Sequence, residues 1–105
     1  VYAGVFNPIR PFSFDVVRKF DNESDTTEVY KWGEQRVGGE AVFAPRVNAS
    51  SEDDGYLISF IHDESNNQSE CVILDAKNVD AGPVTRIIMP FRVPYGFHSG
   101  WVASA

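Results

Sequence analysis

The chain has 105 residues, 43% hydrophobic and 13% aromatic, with a formal net charge of −6 and a pI near 4.7. That is one domain's worth of sequence, apolar enough for a modest core and unlike a disordered composition. No Lys/Arg cluster forms a patch for phosphate backbones, which argues against nucleic acid. No apolar run approaches the roughly 20 residues of a membrane helix, and no signal-peptide pattern opens the chain.

In chain order, Val1–Phe6 reads as a short apolar strand ended by Asn7-Pro8 and Arg10-Pro11. Ser13–Asp21 is a second strand and Asp21–Asp25 a solvated turn. Thr26–Trp32, rich in β-branched and aromatic residues, is a third. Gly33–Gly39 reads as a glycine-rich loop leading into a strand at Glu40–Ala44, closed by Pro45. Asn48–Asp54 is an acidic loop, and Tyr56–Ile61 a strand apolar on nearly both sides, as in a sheet sandwiched between neighbours. Asp63–Ser69 reads as a hairpin loop, Cys71–Leu74 as the next strand, Asn78–Pro83 as a turn and Val84–Met89 as a last strand before Pro90. No 3.6-residue apolar period persists beyond two turns, so the expected fold is all-β with no significant helix. Glu40 to Met89 forms a meander of four strands, the size of one propeller blade.

The chain has only two histidines. His98 follows a bend at Pro94–Gly96, where proline fixes φ and glycine permits positive φ. It reads either as a core histidine bonded to a backbone carbonyl or as a metal ligand at the start of an inner strand. His62 stands in Ile61-His62-Asp63-Glu64, but adjacent strand residues face opposite sides, so this run does not converge on one ion. Glu52-Asp53-Asp54 lacks the glycine and distal glutamate of a calcium loop and reads as a solvated turn. Cys71 is the single cysteine, a small core residue that mildly favours a reducing compartment. Asn22, Asn48 and Asn67 open N-x-S triplets of the kind that arise by chance in polar loops. Trp32, Phe43, Phe60, Phe97 and Trp101 are expected in the core.

Four segments, GGEAVFAPR (38–46), EDDGYLISFIHDE (52–64), SECVILDAK (69–77) and RVPYGFHSGWV (92–102), resemble the C-terminal part of the carotenoid cleavage oxygenases. That family includes a retinoid isomerase and stilbene-cleaving dioxygenases. The resemblance implies a seven-bladed β-propeller with iron(II) on its axis, held by four histidines, three of them oriented by glutamates. His98 falls on the last of these histidines and Glu40 on one of the glutamates, while Phe97 and Trp101 are candidates for a substrate tunnel. The other three ligands belong to blades outside this sequence. Residues 1–37 would be the outer strands of one blade, 38–90 one complete blade, and 91–105 the inner strand of the next. A closed propeller needs at least about four blades of four strands, so the sequence is expected to be part of a larger catalytic domain, inert alone. The absence of an initiator Met fits that expectation.

The implied reaction is oxidative cleavage, with O2, of a conjugated double bond in a carotenoid or apocarotenoid, in the cytoplasm or a plastid. A stilbene substrate is the alternative within the family, and membrane contact would come from parts of the protein outside this sequence. The other class is a metal-free β-sheet binding module. Ser99, where many relatives have Gly, departs from the family pattern.

Overall fold

In a computed structural model of the chain, residues 2–6, 14–21, 25–33, 35–94 and 100–102 are described. They form eight strands: β1 (Tyr2–Phe6), β2 (Phe14–Asp21), β3 (Thr26–Lys31), β4 (Arg36–Gly38), β5 (Val42–Pro45), β6 (Gly55–Asp63), β7 (Gln68–Asp75) and β8 (Pro83–Ile88). A single 3₁₀ turn, Val79–Ala81, interrupts them, and the described residues contain no α-helix. None of them is in a helix able to cross a membrane. Every strand pairing is antiparallel. The expected four-strand meander is present as β5–β6–β7–β8.

The loop expected at Gly33–Gly39 is corrected by the structure. Arg36, Val37 and Gly38 pair with Asp63, His62 and Ile61, so β4 and β5 run end to end along the same side of β6. Gly38 permits this: a Cβ there would collide with Trp32 Nε1 and lie 2.8 Å from Ile61 Cδ1. Packing against β6 thus overrides the weak strand propensity of a glycine-rich stretch.

β1, β2 and β3 join the rest of the sheet through one bridge, Phe14 to Gly38, and lean over one face of the β5–β8 meander. Val17 and Trp32 from the first layer pack with Leu57, Ile61, Val72, Leu74, Ala76 and Val79 from the second. Each fully buried Leu or Ile contributes about 1.5–3 kcal/mol through apolar surface removed from water. Polar contacts pin the same interface. The Tyr2 hydroxyl donates to the Ala76 carbonyl at 3.0 Å, and Lys19 Nζ lies 3.1 Å from Asp53.

The acidic loop is held by ion pairs and short-range caps. Asp54 accepts from Ser50 N–H and from Arg46, and these bonds hold its carboxyl below the usual range. Asn48 and Asn67 adopt φ of 57° and 51°, a left-handed turn conformation that Asn tolerates.

Candidate functional site

Glu40 lies on the 39–41 connection between β4 and β5, and it is partly buried. Between Gly38 (opposite Ile61) and Val42 (opposite Ile58), three residues face two, which makes this a bulge with one extra residue. The bulge is fastened to β6 at both polar groups of Gly39. Its N–H donates to the Phe60 carbonyl at 3.0 Å, and its carbonyl accepts from the Ser59 hydroxyl at 3.1 Å. Ser59 is 3% exposed, so its hydroxyl needs such a partner. Bulges re-aim side chains, and Glu40, which sequence singled out, is the middle residue of this one.

The second candidate stretch leaves β8 after Ile88. The Met89 N–H donates to the Ser69 carbonyl at 2.9 Å, and four residues later the Val93 N–H donates to the Ser69 hydroxyl at 2.8 Å. His98 and Phe97 lie outside the described residues. Trp101 is 52% exposed and Phe60 45% exposed, so neither occupies the core expected for it. Phe60 alternates with Leu57, Ser59 and Ile61 and faces away from the layer formed by β1–β3. Trp32 is in the core as expected, and Phe43 packs against it, its ring stacked on Tyr2 at 6.0 Å.

His62 is 5% exposed, with Nδ1 3.3 Å from the Ser69 hydroxyl, while its neighbour Asp63 faces the other way toward Arg36. The two therefore do not share a site. Asp63 accepts from Ser65, Asn66 and Arg36; chiefly the Ser65 hydroxyl, then Asn66, hold its carboxyl down at about 2. On the covered face Glu70 accepts from Arg36 Nη1 at 2.8 Å to each oxygen, and from Arg86 Nη1 at 3.0 Å. Arg86 also donates to the Tyr30 hydroxyl at 3.2 Å. This network was invisible in the sequence, because Arg36 and Glu70 stand 34 residues apart. Its carboxylates are taken up by guanidinium groups, which suits it to joining strands rather than holding a cation. Cys71 is half-buried, and burial raises its thiol pKa.

Among the described residues no three His, Cys, Asp or Glu side chains converge as a metal site.

Carotenoid 9,10(9′,10′)-cleavage dioxygenase 1 of Arabidopsis thaliana is 50% identical over 74 residues, 70% of this chain and 14% of the relative. Isoeugenol monooxygenase of Pseudomonas nitroreducens is 31% identical over 110 residues, 96% of this chain and 23% of the relative. Among solved structures, the cobalt-substituted Synechocystis apocarotenoid oxygenase matches with a TM-score of 0.80 at 31% identity, covering 87% of this chain and 19% of that one. The chain thus spans under a quarter of the length of each. The family model described as retinal pigment epithelial membrane protein matches residues 1–103, and the chain belongs to this family of carotenoid cleavage oxygenases.

Proposed function

We propose that the chain is the C-terminal part of a non-haem iron(II) dioxygenase that cleaves a conjugated carbon–carbon double bond of a carotenoid or apocarotenoid into two carbonyl products. The observation that carries this reading is the 50% identity to a carotenoid 9,10-cleavage dioxygenase. Within the reading, residues 38–90 are one blade of a propeller, 1–37 the outer strands of the blade before it, and 91–105 the inner strand of the next. The β5–β8 meander fits that partition, although β4 straddles its first boundary.

His98 is a ligand to the metal in this proposal, and Glu40 orients a ligand imidazole through a hydrogen bond, fixing its tautomer and partly offsetting the charge. The bulge at 39–41 supports the role of Glu40, since Gly39 is held at both its N–H and its carbonyl. Phe97 and Trp101 line an apolar route for the polyene. A ferrous ion held by neutral imidazoles supplies the redox chemistry that lets O2 react with the alkene; this chain supplies one ligand and its support. The match to isoeugenol monooxygenase over 96% of the chain favours, as a second reading, a phenolic alkene or stilbene substrate.

The test is His98→Ala and Glu40→Gln in the full-length protein, assayed for iron by elemental analysis and for cleavage of an apocarotenoid and a stilbene. His98→Ala abolishes both, and Glu40→Gln lowers metal affinity or turnover by about 10- to 100-fold. Stoichiometric iron in His98→Ala overturns the ligand assignment.

A further inference from the structure

We propose that Ser69, backed by His62, is a positioning residue that fixes how the chain leaves the sheet toward His98. The inference rests on the reading of His98 as a functional residue.

Ser69 is 2% exposed on β7, directly opposite His62 on β6. Strand alternation places it on the same face as Cys71 and Ile73, an apolar setting where a hydroxyl is costly unless hydrogen-bonded. Besides His62, Ser69 holds one short stretch at two points. The backbone carbonyl accepts the Met89 N–H at 2.9 Å, and the hydroxyl oxygen accepts the Val93 N–H at 2.8 Å. The segment from Met89 to Val93 therefore begins and ends on a single residue.

That closure is reinforced by the sequence. Pro90 carries no N–H that could compete, and Pro94 both fixes its own φ and restricts Val93 before it. With its N–H held and its ψ confined, Val93 hands the chain on in a set direction. His98 follows only a few residues later.

His62 completes the device. A hydroxyl has one proton and two lone pairs, so accepting from Val93 leaves the Ser69 proton for Nδ1 of His62 at 3.3 Å. In the other tautomer Nδ1–H donates into the second lone pair. Either arrangement keeps the hydroxyl oriented toward Val93, so the clamp needs the hydroxyl rather than a given charge on the ring.

The experiment uses the full-length protein with Ser69→Ala and Ser69→Thr. Three properties are measured: amide hydrogen exchange, iron content by elemental analysis, and KM and kcat for an apocarotenoid. In Ser69→Ala the Val93 amide exchanges about tenfold faster or more, while the Ile61 and Val72 amides keep their protection. Iron content falls with it, and Ser69→Thr, which keeps the hydroxyl, restores both. Unchanged Val93 exchange in Ser69→Ala overturns the clamp. So does an equal rise across β6 and β7, which marks general loosening, and so does a freed Val93 with unaltered iron, KM and kcat. His98→Ala run alongside separates the two claims: iron retained there overturns the ligand reading, and the Val93 exchange ratio still decides the clamp.

Discussion

The two faces of β6 have met different fates. Leu57, Ser59 and Ile61 are 1%, 3% and 2% exposed beneath β1–β3, whereas Phe60, on the opposite face, is 45% exposed. Ile87, which pairs with Cys71 across β7–β8 on the face of Phe60, is 49% exposed. The strand itself is apolar on both sides, a pattern that belongs to sheets covered on both faces. Within this chain one face has its partner layer, and that face also holds the Arg36–Glu70–Arg86 network. Under the proposed function, the other face meets the neighbouring blade of the whole protein. The difference teaches where stability resides: in the covered face and, on the open one, at the end where the Met89–Val93 segment bonds to Ser69, whereas exposed positions such as Phe60 and Ile87 contribute less.

The largest effect is expected at Glu70. Its side chain is 4% exposed and accepts from two arginines, so Glu70→Ala leaves two guanidinium groups facing each other without their shared carboxylate. Removing one partner of a buried pair costs about 3–5 kcal/mol. Denaturant unfolding of the full-length protein checks this, and a loss under about 1 kcal/mol would mean the network is solvated rather than buried. Leu57→Ala comes next. Leu57 is packed in the core opposite Leu74, and truncation costs about 2–5 kcal/mol depending on how far the site collapses.

A smaller effect, about 1–3 kcal/mol, is expected for Gly38→Ala, because the new methyl would press on the Trp32 indole and on Ile61 Cδ1. This position also shows why sequence did not reveal β4. Three glycines, Gly33, Gly38 and Gly39, together with Glu34 and Gln35 carry the local signature of a loop, and only the ladder offered by β6 and the close approach of Trp32 make Arg36–Gly38 a strand. The same holds for Ser69. It looked like the end of a hairpin loop, and its grip on Val93 depends on a chain reversal 24 residues later. The strands β1, β2, β3, β6, β7 and β8 were legible as apolar runs between proline, glycine and polar breaks, whereas the bulge at 39–41 that carries Glu40 was not. Aromatic residues were read as core by type alone; alternation puts Phe60 outside the packed layer, and Trp101 is exposed as well.

The covered face also sets a pH dependence. The Asp63 carboxyl is depressed from 3.8 to about 2, first by the Ser65 hydroxyl, then by Asn66, with Arg36 contributing less. A depressed carboxyl contributes stability that is fully present above the unfolded pKa and disappears as pH falls through the folded one. The loss therefore develops between about pH 4 and about pH 2. Asp63→Asn should flatten acid unfolding across that window, followed by circular dichroism. Matching acid profiles for the two proteins would remove Asp63 from the account.

The smallest effect on folding is expected on the open face, and it distinguishes the faces most directly. Phe60 is 45% exposed, so Phe60→Ser in residues 1–105 expressed alone removes only part of a buried side chain's contribution, and stability should fall by about 1 kcal/mol. Association should respond instead. Phe60 and Ile87 offer apolar surface on one side of the sheet, and β8 adds an edge whose backbone groups can pair with another chain. The wild-type segment is therefore expected to self-associate in sedimentation velocity, and Phe60→Ser to shift it toward monomer at the same concentration. A variant that unfolds the segment outright would show that Phe60 is buried in solution. One that leaves association unchanged would show that copies meet elsewhere, with the β8 edge as the next surface to alter.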